Sequence, residues 1–245
     1  RRQRQMCIRD SNRAYRSVDL FSSNARISFE ELKKIKFDLY FSEQSAMAKY
    51  INDIIKAIDV SGLDFQDVKS VLADWNLSTH PENREAALAI LSTKPFLQFQ
   101  YRDMDDAILL EHTENAAEYL KKFHGSLRVP FGDVQRLVCG ETDLAMGVGP
   151  YFLRAVYSID DGNGKLRGTA GDGLFYFVKW DKNGKVFSES IHQYGSATTR
   201  PKSPHYDDQA HLFVREEMKP AWRKKSEILK HLEAKYSPGK YLSED

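Results

Sequence analysis

The run GLFYFVKW-DKNG-KVFSESIHQYG, residues 173–195, decides the fold class. Two stretches rich in aromatic and β-branched residues flank a short polar joint, and Asn183-Gly184 is a strong signal for chain reversal between paired strands. The run therefore predicts a β-hairpin. Upstream of about residue 125 the pattern is different, because apolar residues there recur at helical spacing. A helical first half joined to a strand-bearing second half is an α+β chain.

Working backwards from the hairpin, RLVCG (136–140) and RAVYSI (154–159) read as further strands. Before them come five helical segments. ISFEELKKIKFDLYF (27–41) carries a capping box at Ser28 and Glu31, with Ile27, Leu32, Ile35 and Leu39 on one stripe. SEQSAMAKYINDIIKAI (42–58) places Met47, Tyr50, Ile51, Ile54 and Ile55 on another. LDFQDVKSVLADWN (63–76) gives a third helix, and PENREAALAIL (81–91) a fourth with Pro81 near its first turn. HTENAAEYLKKFHG (112–125) closes the set, with Gly125 as C-cap. Working forwards, HLFVREEMKPAWRKKSEILKHLEAKY (211–236) reads as one helix, or two broken at Pro220. The division is thus a helical part over 11–125 and a strand-rich part with a C-terminal helix over 126–245. The two are not expected to be autonomous, since the strands need a covering layer.

The first ten residues, RRQRQMCIRD, are set apart. No apolar run of signal-peptide length follows them. Their back-translation resembles the transposase adaptor used in making sequencing libraries, so residues 1–10 are expected to be an adaptor artefact, with the parent protein continuing upstream. Removing Arg1, Arg2, Arg4, Arg9 and Asp10 lowers the 36 basic side chains to 32 and the 35 acidic ones to 34, and the formal charge moves from +1 to −2. The charge balance then makes no case for a nucleic-acid partner. Cys7 goes too, and Cys139 alone can form neither an internal disulfide nor a thiolate zinc site. No apolar run is long enough to span a bilayer, which gives no membrane partner. Ser11 becomes the first residue of the remaining chain. It is not promoted to a nucleophile, because most of its codon belongs to the adaptor.

Three motifs invite chemistry. MGVGPYF (146–152) holds Gly147 and Gly149, but a dinucleotide fingerprint wants a third glycine where Phe152 stands, so a tight turn is expected. DGNGKLRG (161–168) and DKNGK (181–185) look faintly like calcium loops. Lys165 and Lys185 occupy positions that should supply oxygen ligands, and both read as turns. SPHYDDQAH (203–211) is the densest polar stretch, with His205, Asp207, Asp208 and His211. Such residues could hold a metal. They could equally form a loop entering a helix, with Ser203 or Asp207 capping backbone N–H groups.

Several stretches in order carry a family resemblance: DSNRAYRSVDLF (10–21), ARISFEELKKIKFD (25–38), LRVPFGDVQRL (127–137), DLAMGVGP-x-x-LRAVY (143–157), GTAGDG (168–173), ESIHQYG (189–195) and SPHYDDQ-x-x-LF (203–213). Over residues 11–245 the chain resembles the penicillin acylase family of N-terminal-nucleophile amidases, and looks closest to the acylhomoserine-lactone and aculeacin acylase branch. The resemblance implies the C-terminal part of a β chain, released with an α chain by self-cleavage of a proprotein. It also implies an αββα sandwich, of which this stretch is an incomplete piece. The family's chemistry removes acyl groups from penicillin-, lactone- or lipopeptide-type amides through an N-terminal serine, with the serine's own α-amine as base. By the resemblance the serine, the oxyanion asparagine and the calcium ligands of some members all lie upstream. No cofactor is expected in this stretch, calcium belonging to the complete parent, and the fragment is expected to be inactive alone.

One site residue is implied here: Arg13, in SNRAYR, matches the arginine that supports the active site and the oxyanion asparagine. Expected partners are the N-terminal part of the β chain, the α chain and a small-molecule acyl amide. The expected location is the periplasm or outside the cell. The resemblance also makes SPHYDDQ a structural junction, with exposed edges and uncovered apolar faces on the sheets. Two other readings stand beside it: a non-catalytic helical/β interaction module, and a metal hydrolase using His205, Asp207 and His211.

Overall fold

A computed structural model describes residues 11–22, 26–62, 64–97, 101–232 and 234–235. The adaptor-like residues 1–10 lie outside the described residues. Helices α1 (Asn12–Ser22), α2 (Phe29–Lys36), α3 (Ala46–Ser61), α4 (Gln66–Asp74), α5 (Ala86–Thr93) and α6 (Asp106–His124) come first. The four-residue α7 (Phe131–Val134) then leads into strands β1 (Gln135–Cys139), β2 (Thr142–Ala145), β3 (Val156–Asp160), β4 (Leu166–Gly171), β5 (Leu174–Trp180) and β6 (Val186–His192). Short α8 (Ala210–Val214), two-residue β7 (Lys219–Pro220) and α9 (Lys225–Lys230) follow.

The helix ends follow local chemistry. In the capping box the Glu31 N–H donates to Ser28 Oγ (3.2 Å) and the Ser28 N–H to the Glu31 carboxylate (2.7 Å), satisfying two otherwise unpaired donors. Ser45 starts α3, and Gly62 ends it in the left-handed conformation (φ 70°). Gly125 ends α6 in the same way (φ 69°), as the sequence suggests. Other ends differ from expectation. α2 stops at Lys36, so Leu39 lies beyond it, next to a bridge between Tyr40 and Ser78. α5 begins at Ala86 rather than beside Pro81. The N-cap position is Glu85, whose side chain makes no capping bond; Asn83 just before it serves the helix start instead, its Oδ1 accepting from the N–H groups of Glu85 (3.1 Å) and Ala86 (2.8 Å). α6 begins six residues before HTENAAEYLKKFHG, where the Asp105 side chain caps Ala107.

The strands form two sheets. One has the order β2-β1-β4-β3, with β1 and β4 parallel and the other pairs antiparallel. The other has the order β5-β6-β7, and the predicted hairpin runs in unbroken register from Leu174↔His192 to Trp180↔Val186. Its turn is closed by the Gly184 N–H on the Asp181 carbonyl (3.0 Å), with Gly184 at φ 76°. The Asp181 carboxylate accepts from the N–H groups of Asn183 and Lys185, and Asp161 does the same for Asn163 and Lys165. Both suspected calcium loops therefore spend their aspartates on their own backbones, as Asx turns do.

The segment after α8 departs from the helical expectation. Glu216 takes a left-handed backbone (φ 62°), and Lys219–Pro220 then joins β6 as an edge strand. Proline is tolerated there because an edge position need not donate to a neighbour. Helix resumes only at Lys225.

Helices α3–α6 bury Met47, Ile54, Ile58, Leu72, Leu88, Leu109 and Leu120 in one core, which continues through Phe131, Val134, Phe152 and Leu166 of the strand-rich part. α5 is the centre of this layer: its AALAI run is buried on every side, as a helix apolar all round should be. A second core, Leu137, Met146, Val148, Val156, Ile191, Ala210 and Phe213, lies where the two sheets and α8 meet. α2 covers one face of the hairpin, with Phe29 and Phe37 edge-on to Phe177. On the other face Leu174, Tyr176, Val178 and Trp180 are exposed, an apolar row larger than solvent-facing strands ordinarily show. Among the described residues no helix is long and apolar enough to cross a membrane.

Candidate functional site

Arg13 stands in the first turn of α1, and its neighbour explains why that turn is fixed. Asn12 is buried. Its Oδ1 accepts from the Ser42 N–H (2.7 Å) and its Nδ2 donates to the Tyr40 carbonyl (3.2 Å), so a single amide satisfies one donor and one acceptor of the 40–42 segment. Ser11 caps the turn, its carbonyl accepting from the Ala14 N–H at 2.9 Å. Arg16, one turn on, forms a two-pronged pair with Asp38 (2.9 and 2.6 Å), and that hydrogen bond raises the guanidinium's pKa further. The helix is thus clamped on two sides.

Arg13 itself is exposed, and its Nε donates to the Phe152 carbonyl (2.9 Å). Among the described residues no hydrogen bond or ion pair is made by its terminal guanidinium nitrogens. The carbonyl it grips belongs to a well-fixed segment. The Phe152 ring packs edge-on against Phe41 at 4.7 Å, and Phe41 against Trp75. Lys36 donates to the next carbonyl, Leu153 (2.7 Å), and pairs with Asp172. Arg154 follows, almost wholly buried, donating to the Phe213 carbonyl (2.7 Å) and to Glu216 (3.2 Å). Three consecutive residues therefore engage three cations: Arg13 on Phe152, Lys36 on Leu153, and Arg154 itself. Together they tie α1, α2, the sheets and α8 into one rigid edge that presents the Arg13 guanidinium.

The structure does not bring the other suspected residues together. His205 Nδ1 pairs with Asp208 (3.0 Å), while Asp207 turns to accept from the Thr142 hydroxyl. His211 is exposed on α8. Among the described residues no group of three or more His, Cys, Asp or Glu could hold a metal ion. The metal-hydrolase grouping of His205, Asp207 and His211 is therefore corrected: His205 is taken up by Asp208, Asp207 by Thr142, and His211 joins neither. Ser203 caps the loop as expected, accepting from the His205 N–H (3.2 Å), and Gly195 lets the hairpin's end approach so closely that a Cβ would lie 2.2 Å from the His205 carbonyl oxygen.

Of the MGVGPYF glycines, Gly147 serves close approach rather than the turn expected of it. A Cβ on Gly147 would meet Pro81 Cδ at 2.6 Å, and the Thr79 hydroxyl donates to the Gly147 carbonyl (2.8 Å). The turn follows one step later, and Tyr151, not a glycine, takes its left-handed conformation (φ 65°).

Sequence reasoning singled out Arg13 but missed Asn12, Lys36 and Arg154. Nothing in the spacing of a lone Lys36 or Arg154 marks it as buried or bridging. Asn12 could have been suspected as a polar residue heading an amphipathic helix, but only as a cap.

Comparison with known proteins adds one finding. The family model described as Penicillin amidase matches residues 3–230, and no curated protein matches the chain.

Proposed function

We propose, from the premise that the chain belongs to the penicillin amidase family, that it is the C-terminal part of the β chain of an enzyme hydrolysing linear amides. Amide hydrolysis is the chemistry this family implies. The family match over residues 3–230 carries the proposal, and the ordered motifs from LRVPFGDVQRL to SPHYDDQ support it. In this reading the two sheets and their helices are one side of an αββα sandwich. The remaining strands come from the N-terminal part of the β chain, and the exposed row Leu174, Tyr176, Val178 and Trp180 is a face they cover.

The nucleophile in this reading is a serine upstream of residue 11, freed as an N-terminus by self-cleavage. Its hydroxyl oxygen attacks the amide carbon while its α-amine, with a reference pKa of about 7.7–8.0, takes the proton. The tetrahedral oxyanion rests on a backbone N–H and an asparagine side chain. Collapse expels the amine, which leaves with the proton, and water then releases the acid from the acyl-enzyme. The enzyme works in the periplasm or outside the cell with its α chain, and calcium serves the complete protein rather than this part.

Arg13 is a positioning residue in this scheme. Its Nε is held by the Phe152 carbonyl, and its outer nitrogens are available to orient the oxyanion asparagine. In the intact enzyme Arg13→Ala is expected to lower kcat about 10²-fold with KM little changed, the scale of loss for a misplaced reacting geometry. A fall in the melting temperature with kcat unchanged would reduce Arg13 to a structural anchor.

Reading the genomic sequence upstream of codon 11 tests the proposal itself. The frame is expected to continue back through an asparagine to a serine preceded by a cleavable linker. A start codon directly before RRQRQMCIRD would overturn it.

A further inference from the structure

A cavity lies away from Arg13, between the C-terminal end of α5 and strand β3. It encloses about 180 Å³, and its walls are Ile90 and Leu97 from the helical layer, Pro150 and Tyr151 from the turn, and Tyr157 and Leu166 from the sheet. That volume equals about six water molecules' share of the liquid, enough for a small organic molecule. Binding cavities are mostly apolar with a few convergent polar groups, and this one has three: Lys94, Gln135 and Ser158.

Each polar group has a defined state. Gln135 is buried and donates its Nε2 to Ser158 Oγ (2.6 Å). That bond uses an acceptor site of the serine and leaves its hydroxyl proton for another partner. The Lys94 ammonium makes no hydrogen bond or ion pair among the described residues. Burial lowers its pKa, an effect Asp160 only partly offsets. Asp160 itself is occupied by the Tyr119 hydroxyl (2.8 Å). A partly buried cation whose nearby carboxylate makes no direct ion pair with it is costly to hold, and the cost falls when an anion enters hydrogen-bond reach.

The wall opposite is strained. Tyr151 holds φ at 65°, uncommon for an aromatic residue, and its ring meets Tyr157 edge-on at 5.9 Å. Strained backbones of this kind cluster at ligand clamps. Here the strain turns an aromatic ring into the cavity wall, where a glycine would have left the turn relaxed and the wall open.

We propose that this cavity is a binding site for a small carboxylate with an apolar body: the carboxylate meets Lys94 and the Ser158 hydroxyl, and the body packs on Tyr151, Tyr157, Ile90 and Leu166. The site is independent of the amidase reading. It shares no residue with the Arg13 edge, and it binds without covalent chemistry.

The test is titration of the full-length protein with benzoate and with the uncharged benzamide, followed calorimetrically. Benzoate is expected to bind saturably at one site, and at least about tenfold more tightly than benzamide, a difference of about 1.4 kcal/mol. Lys94→Met, which keeps the stem and removes the charge, should weaken benzoate about tenfold or more and leave benzamide unaffected. Lys94→Arg should retain benzoate binding, which separates loss of charge from loss of fold. Equal affinity of benzoate for wild type and Lys94→Met would overturn the proposal. So would the absence of saturable binding up to about 10 mM, well above the affinity a charge-paired pocket of this kind requires.

Discussion

Arg154→Met is expected to destabilise the protein by about 2–3 kcal/mol, the cost of leaving a desolvated carbonyl and a partly buried carboxylate without their partner. Arg154 is 1% exposed, and its guanidinium lies over the rings of Phe37 and Phe213, 5.1 and 4.9 Å from their centroids. Desolvation lowers its pKa to about 10, which still leaves it charged at neutral pH. Its loss strands two acceptors, the Phe213 carbonyl and the Glu216 carboxylate. Burial already raises the Glu216 pKa, with Arg154 as the largest opposing influence, so removing Arg154 raises it further.

The sign with pH follows from that. A carboxyl whose folded pKa lies above its unfolded one costs stability once it is ionised. The deficit of the variant is therefore smallest at about pH 3 and below, under the ordinary glutamate pKa, where Glu216 is protonated in both the folded and unfolded states, and grows as pH rises through its raised folded value. Urea denaturation at two pH values measures this. Adding Glu216→Leu to Arg154→Met should recover part of the loss, since an apolar pair leaves no stranded charge. A deficit below about 1 kcal/mol, or one independent of pH, would mean that the pair is not the fixed point described here.

Gly171→Ala is the second large effect, expected at about 3 kcal/mol or more. Gly171 closes β4 at φ 132°, opposite Val156 on β3. An added Cβ would lie 2.1 Å from the Ala155 carbonyl oxygen and 2.9 Å from Val156 Cα. These are consecutive backbone atoms of the one facing segment, which cannot yield as a side chain would, so the strands must part. They would part beside Asp172, whose N–H donates to that same Ala155 carbonyl and whose carboxylate holds Lys36. For a chain of this size the loss corresponds to a fall of roughly 6–12 °C in Tm. Gly173→Ala, two residues on with open space around it, is the control and should change stability by less than about 0.5 kcal/mol. Equal effects at the two positions would refute the close-approach argument.

What could be read from the sequence was local chemistry. The capping box at Ser28 and Glu31, the stop at Gly125 and the hairpin about Asn183-Gly184 each depend on residues within a few positions of one another, and each forms as the residues dictate. The failures are tertiary. Residues 215–222 carry a helical-looking pattern, yet Pro220 pairs with Glu189 of β6, a partner thirty-one residues back that no local period reveals. Pro81 looked like a helix start but packs against the glycines at 132 and 147. The candidate site was legible in one residue, Arg13, because motif order pointed there. Its supports were hidden because Asn12, Lys36 and Arg154 act on carbonyls 28, 117 and 59 residues away.

The most direct measurement of the proposed function is amide hydrolysis by the protein expressed from the reading frame extended upstream as proposed, with the 245-residue chain assayed beside it. Chromogenic anilides carrying aryl and fatty acyl groups report the reaction. The complete protein is expected to release amine and acid, and the 245-residue chain to stay at the uncatalysed rate. Turnover by the 245-residue chain alone, or none by the complete protein on any acyl amide, would contradict a nucleophile supplied from upstream.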